Sequence, residues 1–239
     1  MSVHASPEHL PSTLESVLQH AGGILVPRNG RAVVTNYGSA AGELAACVSA
    51  VGLADCSELT KLVLHGRSRQ LRQLTSRLAG TEVVPGGAAL SGGAWWCAET
   101  AERMIVLCDP RLGERLQVQL RARVSRRAAV ELEDHSQDWA ALAVVGRRTR
   151  PLLAELGVYG ESRDPRCVPP LTAHAMTGAD VLWLLESDRK ALALVPRPQA
   201  AQVWRTIDRA GQRFGISAVG QEAVARYALI RQASAGAIL

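Results

Sequence analysis

The chain has 239 residues, of which 47% are hydrophobic and 21% charged, with a formal net charge of +5. That length buries a sizeable core in one large domain, and the composition excludes a disordered or fibrous chain. No apolar run approaches the ~20 residues of a bilayer span, and the first ten residues lack the charged-then-apolar pattern of an export signal, so a soluble, cytoplasmic protein is expected.

In chain order, Leu10 to His20 reads as a helix, with Ser12 as N-cap and Glu15 completing a capping box. A second helix is expected from Ala40 to Val51, ended by Gly52. Lys61 to His65 reads as a strand closed by Gly66. Leu71, Leu74 and Leu78 recur at helical spacing and predict a helix ending at Gly80. Pro85 to Gly93, rich in glycine, predicts turns. Ala94 to Ala98 and Arg103 to Cys108 form a hairpin candidate. The stripe Leu112, Leu116, Leu120 and Val124 predicts a helix whose other face carries solvated arginines. Ala129 to Leu132 and Ala140 to Val145 read as strands, and Arg150 to Leu156 as a short helix. A second hairpin is expected at Val181 to Glu186 and Ala191 to Val195, then helices at Pro198 to Arg213 and Ser217 to Gln232. There is no regular βαβ alternation, no low-complexity segment and no obvious internal repeat. The pattern predicts an α+β fold with mostly antiparallel sheets.

The five cysteines are an odd number without a CxxC pair or clustered histidines, so neither a zinc site nor a disulfide framework is expected. The positive charge is almost all arginine; Lys61 and Lys190 are the only lysines. Aromatic residues make up 4% and do not interleave with the arginines, so nucleic-acid binding is not expected. No GxGxxG or P-loop pattern is present.

Four stretches carry a resemblance. Tyr37-Gly38 and Glu43 precede Val51-Gly52-Leu53-Ala54-Asp55-Cys56-Ser57 and Leu62-Val63-Leu64-His65-Gly66. Gly92-Gly93 precedes a hairpin ending Val106-Leu107-Cys108-Asp109. Asp134 and Ser136 precede Ala141-Leu142-Ala143-Val144, Gly146 and Leu152-Leu153. Gly215-Ile216, Ala218-Val219-Gly220 lead into a late helix. In order and spacing, from about Gly30 to Arg231, the set resembles the folate-dependent aminomethyltransferases, the T-proteins of the glycine cleavage system. The truncated layout is also similar to the small subunit of heterotetrameric sarcosine oxidase. The resemblance implies one two-lobed folate-binding-like domain over residues 1–239, with 1–30 peripheral and the family's C-terminal barrel domain missing. It implies tetrahydrofolate or a related reduced folate as ligand, and a protein partner or a second copy.

The departures matter as much. The family's carboxylate pair after Gly-Gly falls on Trp96 and Cys97, neither of which can do its acid–base work. Glu99 is the nearest acid, and Asp109 stands at the family's strand-end Asn; either could supply a relocated acid. The later acid falls near Glu186 or Asp188, and the family's helical Arg is lost at Tyr227-Ala228-Leu229-Ile230. No catalytic residue and no metal site is assigned. Trp96, Asp109, Asp188 and Tyr227 are the candidate ligand-binding residues, expected to converge on a cavity between the lobes. Trp96 would either stack on a planar ligand or fill the cavity itself; its size favours a smaller pocket and weak or absent folate binding. With the carboxylates lost, the expected function is a divergent folate-binding module without standard aminomethyltransferase activity, in or near one-carbon or amine metabolism. An interaction protein with a vestigial pocket and an active transferase with a relocated acid remain open. Arg147-Arg148 and Arg150 could hold an anionic tail or simply be solvated, Cys56 reads as a buried thiol, and Asp55 and Ser57 as a turn and cap.

Overall fold

The computed structural model describes residues 13–28, 31–124, 129–160 and 169–236. Thr13–His20 (α1) leads into a hairpin of Ile24–Arg28 (β1) and Arg31–Asn36 (β2). Ser39 caps Ala40–Ser49 (α2) by accepting from Gly42 N at 3.1 Å. Val51–Asp55 (β3) and Thr60–Gly66 (β4) follow, then Ser68–Ala79 (α3), stopped by Gly80 in the left-handed conformation at φ 68. Ala88–Ser91 (β5), Ala94–Ala98 (β6) and Arg103–Cys108 (β7) come next. Asp109 accepts from Arg111 N at 2.9 Å and starts Pro110–Val124 (α4), with proline at the first helical position, where its missing N–H costs nothing. Then come Val130–Asp134 (β8), Trp139–Val145 (β9), Thr149–Glu155 (α5), Leu171–Met176 (β10), Ala179–Ser187 (β11), Lys190–Pro196 (β12), Ala200–Gly211 (α6), Ile216–Ala218 (β13) and Gln221–Gly236 (α7).

Two sheets are stacked between helices. The larger has the order β10-β11-β12-β9-β3-β13, the smaller β5-β6-β7-β4-β8. Every pairing is antiparallel except β13 with β3. The outer face of the larger sheet packs Leu142, Val181 and Trp183 against Leu14, Leu18, Leu152, Val203 and Ile207 of α1, α5 and α6. The outer face of the smaller sheet packs Leu62, Leu64, Trp96 and Val106 against Leu71 and Leu74 of α3 and Leu116 and Leu120 of α4. Between the sheets lie Ala54, Ala141, Ala143, Leu184 and Leu192 on one side and Val63, Cys97, Ile105 and Leu107 on the other, with Tyr227 of α7 joining them. Period-two alternation along each strand sends its side chains to these separate layers.

Although no repeat is evident in the sequence, the element order repeats. The run β4-α3-β5-β6-β7-α4 builds the smaller sheet, and β9-α5-β10-β11-β12-α6 builds most of the larger one in the same spatial order. The halves exchange strands: β3 leads into β4 but pairs with β9, and β8 leads into β9 but pairs with β4.

Some expectations change. The helix expected to reach Val51 stops at Ser49, because Val51 begins a buried central strand between β9 and β13. Pro85 to Gly93 contains the edge strand β5 among its turns. The helix expected from Ser217 starts at Gln221, because Ile216–Ala218 adds to β3 as a parallel strand. The Pro198 to Arg213 helix opens with a 3-10 turn, Arg197–Gln199, and becomes α-helical at Ala200. Leu10 to Ser12 and Cys167 lie outside the described residues.

Candidate functional site

Two Asp-x-Ser turns hold the sheets together where the chain crosses between them. At the β3–β4 crossing, Asp55 accepts from Ser57 N at 3.0 Å, and Ser57 Oγ accepts from Ala141 N on β9 at 3.1 Å. At the β8–β9 crossing, Asp134 accepts from Ser136 N at 2.9 Å, and Ser136 Oγ accepts from Lys61 N on β4 at 2.9 Å. Each turn therefore satisfies a backbone N–H of the other half. The turn-and-cap reading of Asp55 and Ser57 describes their local geometry, but the clasp across halves needs the fold.

Buried charge surrounds the first clasp. The Lys61 side chain is fully buried, and its Nζ donates to the carbonyls of Ser57 and Leu59 at 2.8 Å each. Burial, with Arg31 nearby, pulls its amine down to about 7. Burial, with Asp55 nearby, pushes the Glu58 carboxyl up to about 7. Arg31 donates to the Ser57 carbonyl at 2.7 Å. Sequence reasoning passed over Lys61 and Glu58; the available signal was a lysine inside an apolar strand of an arginine-rich chain.

The hairpin of β6 and β7 aims Cys97 into the layer between the sheets. Cys97 is 0% exposed, and burial, with Glu186 nearby, pushes its thiol up to about 12. Burial also raises the Cys56 thiol well above its ordinary value, with Glu58 as the second cause. Neither thiol is poised as a thiolate nucleophile.

The four candidate ligand residues do not come together. Trp96 faces the opposite way from Cys97 and packs beneath α3 and α4, with its indole N–H buried and without a partner. Asp109 caps α4. Asp188 is exposed in the β11–β12 turn, 3.6 Å from Arg189. Only Tyr227 enters the layer between the sheets, where its hydroxyl is buried without a partner. Arg147, Arg148 and Arg150 are exposed.

At one edge of this layer the β6–β7 turn, β9 and the hairpins of β10 to β12 form a cleft of about 270 Å³, lined by Glu99, Arg103, Trp139, Asp180, Leu182 and Leu194 among others. Glu99 is ion-paired to Arg103, whose guanidinium lies 5.5 Å from the Trp139 ring centroid. His135 stacks on Trp139 at 5.1 Å and bridges Glu133 and Asp138. The other half repeats the hairpin ion pair as Glu186–Lys190, at 2.9 Å.

The Tyr227 hydroxyl is buried without a partner among apolar side chains of both sheets, where a ligand's polar edge could meet it. The edge cleft, at about 270 Å³, lies at the small end of the range for ligand sites.

Taken together, the stacked sheets and exchanged strands define a T-protein-like α+β fold. Among solved structures, the chain is similar to the glycine cleavage system aminomethyltransferase T from Bartonella henselae, with a TM-score of 0.64 and 14% identity over 88% of this chain. It spans 59% of that protein's chain. It is also similar to heterotetrameric sarcosine oxidase from Corynebacterium sp. U-96, with a TM-score of 0.56 and 16% identity over 76% of this chain and 95% of the matched chain. No protein-family model and no curated protein sequence matches it. Among the described residues, no helix is long and apolar enough to cross a membrane, and no group of three or more His, Cys, Asp or Glu side chains could hold a metal ion.

Proposed function

We propose that this chain is a divergent T-protein-like module that does not perform aminomethyl transfer. It serves as a cytoplasmic subunit of a larger enzyme of amine or one-carbon metabolism. The observation that carries this reading is Cys97. Where the resemblance expects a carboxylate beside the folate, the hairpin presents a fully buried thiol with its ionisation pushed up to about 12. Such a group neither takes nor gives a proton near neutral pH.

The two acids that the sequence offers as replacements are committed elsewhere. Glu99 is ion-paired to Arg103, and Asp109 caps α4. That weakens the alternative of an active tetrahydrofolate-dependent transferase. A reduced folate remains the ligand the resemblance implies, and the packing around Tyr227 supports weak or no affinity for it. The test is calorimetry of the purified chain with 5-formyl-tetrahydrofolate. No heat of binding at micromolar ligand is expected. Micromolar affinity that Tyr227→Phe abolishes would reverse this part of the reading and place the ligand between the sheets.

A further inference from the structure

The two helical layers differ sharply in charge. α1, α5 and α6, on the larger sheet, carry three arginines (Arg150, Arg205, Arg209) and three acids (Glu15, Glu155, Asp208), and so balance. α3 and α4, on the smaller sheet, carry seven arginines and one acid, Glu114. Their net charge of +6 exceeds the +5 of the whole chain, so the rest of the protein is net negative. All seven arginines are exposed. Of the acids flanking the helices, Glu82 pairs with Arg72 at 3.3 Å and Asp109 is used as the α4 cap.

The composition of this face indicates what it meets. Arg111, Arg115 and Val118 follow one another at i, i+4 and i+7, so they share one side of α4. Val118 is 69% exposed within that arginine stripe. Arginine is enriched and lysine depleted at protein interfaces, where its planar fork binds carboxylates in pairs. Neither helix contains a lysine, or an aromatic residue on which a base could stack. An apolar side chain set among arginines matches a protein surface better than a phosphate backbone, which offers it nothing to bury against.

We propose that the outer face of α3 and α4 docks the acidic surface of a partner protein, with Val118 as the apolar contact among carboxylate-binding arginines. This extends the subunit reading by naming the face and the charge of what covers it.

The test uses the full chain with two probes at about 0.15 M salt, poly-L-glutamate as the surrogate acidic surface and a duplex DNA of about 20 base pairs. Poly-L-glutamate should bind more tightly than the DNA. Arg69→Glu with Arg115→Glu should weaken that binding about tenfold or more, and Arg205→Glu with Arg209→Glu on the opposite layer should change it by less than about twofold. All four positions are exposed, so folding should survive, and thermal unfolding checks that it does. Tighter binding to DNA would replace the proposal with a nucleic-acid face. No binding to poly-L-glutamate, or binding that ignores Arg69 and Arg115, would overturn it. The probes need no natural partner, so this failure would leave the subunit reading standing. A native complex that survives the Arg69 and Arg115 reversals would likewise keep the subunit and refute this face.

Discussion

Burial shifts both Glu58 and Lys61 toward their uncharged forms. The Glu58 carboxyl is raised from 4.5 to about 7, so folding favours its protonated form. That stabilisation is complete below pH 4.5 and lost as the pH rises through about 7. Lys61 is lowered from 10.5 to about 7, so its neutral form is favoured; that contribution is complete above pH 10.5 and lost as the pH falls through about 7. Glu58→Gln should therefore leave stability at pH 4 nearly unchanged and raise it at pH 8 by about 1–2 kcal/mol. The full shift is discounted for solvent and for the opposite charge of Lys61. Urea unfolding at the two pH values checks this, and an equal effect at both would refute it. Gly220 is constrained by space. A Cβ there would lie 2.1 Å from the Thr35 carbonyl oxygen, and its N–H donates to Glu43 at 2.7 Å. Gly220→Ala should cost about 2 kcal/mol or more. Trp96→Ala should cost about 3–5 kcal/mol by leaving a cavity under α3 and α4, with no change in any response to folate. Strand phase places Trp96 beneath α3 and α4 and aims its neighbour Cys97 between the sheets.

At the scale of elements, the periodic segments were legible and the crossings were not. The β6–β7 hairpin, α3, α4 and β4 announce themselves through leucine spacing, glycine stops and alternation. β3 and β13 were hidden because each is short and abuts a helix, so Val51 and Ser217 read as helical continuations. β10 lacks a clean alternation because Ala173 and Ala175 are small and exposed. The Asp-x-Ser turns were visible as motifs, but their partners Ala141 and Lys61 lie 84 and 75 residues away from Ser57 and Ser136 in number. Ser57→Ala and Ser136→Ala should each cost about 1–3 kcal/mol, because each leaves a buried N–H without its acceptor. The two clasps join the same pair of crossings, so a double-mutant cycle should show coupling of about 0.5 kcal/mol or more. Strict additivity in urea unfolding would show that the clasps act independently.

At the scale of the molecule, two half-domains with no evident sequence repeat share one element order, exchange a strand each, and trap a layer between their sheets. In this chain Cys97 and Tyr227 lie in the trapped layer among apolar side chains. The charge is exported to one outer helical face. An apolar layer between the sheets and a basic outer face are the two features on which the proposed partner-binding module rests. The most direct measurement is the formation of methylene-tetrahydrofolate by the purified chain from an aminomethyl-lipoyl donor protein and tetrahydrofolate. No product above the protein-free background is predicted. Steady turnover that Glu99→Gln abolishes would contradict the account and identify a transferase with a relocated acid.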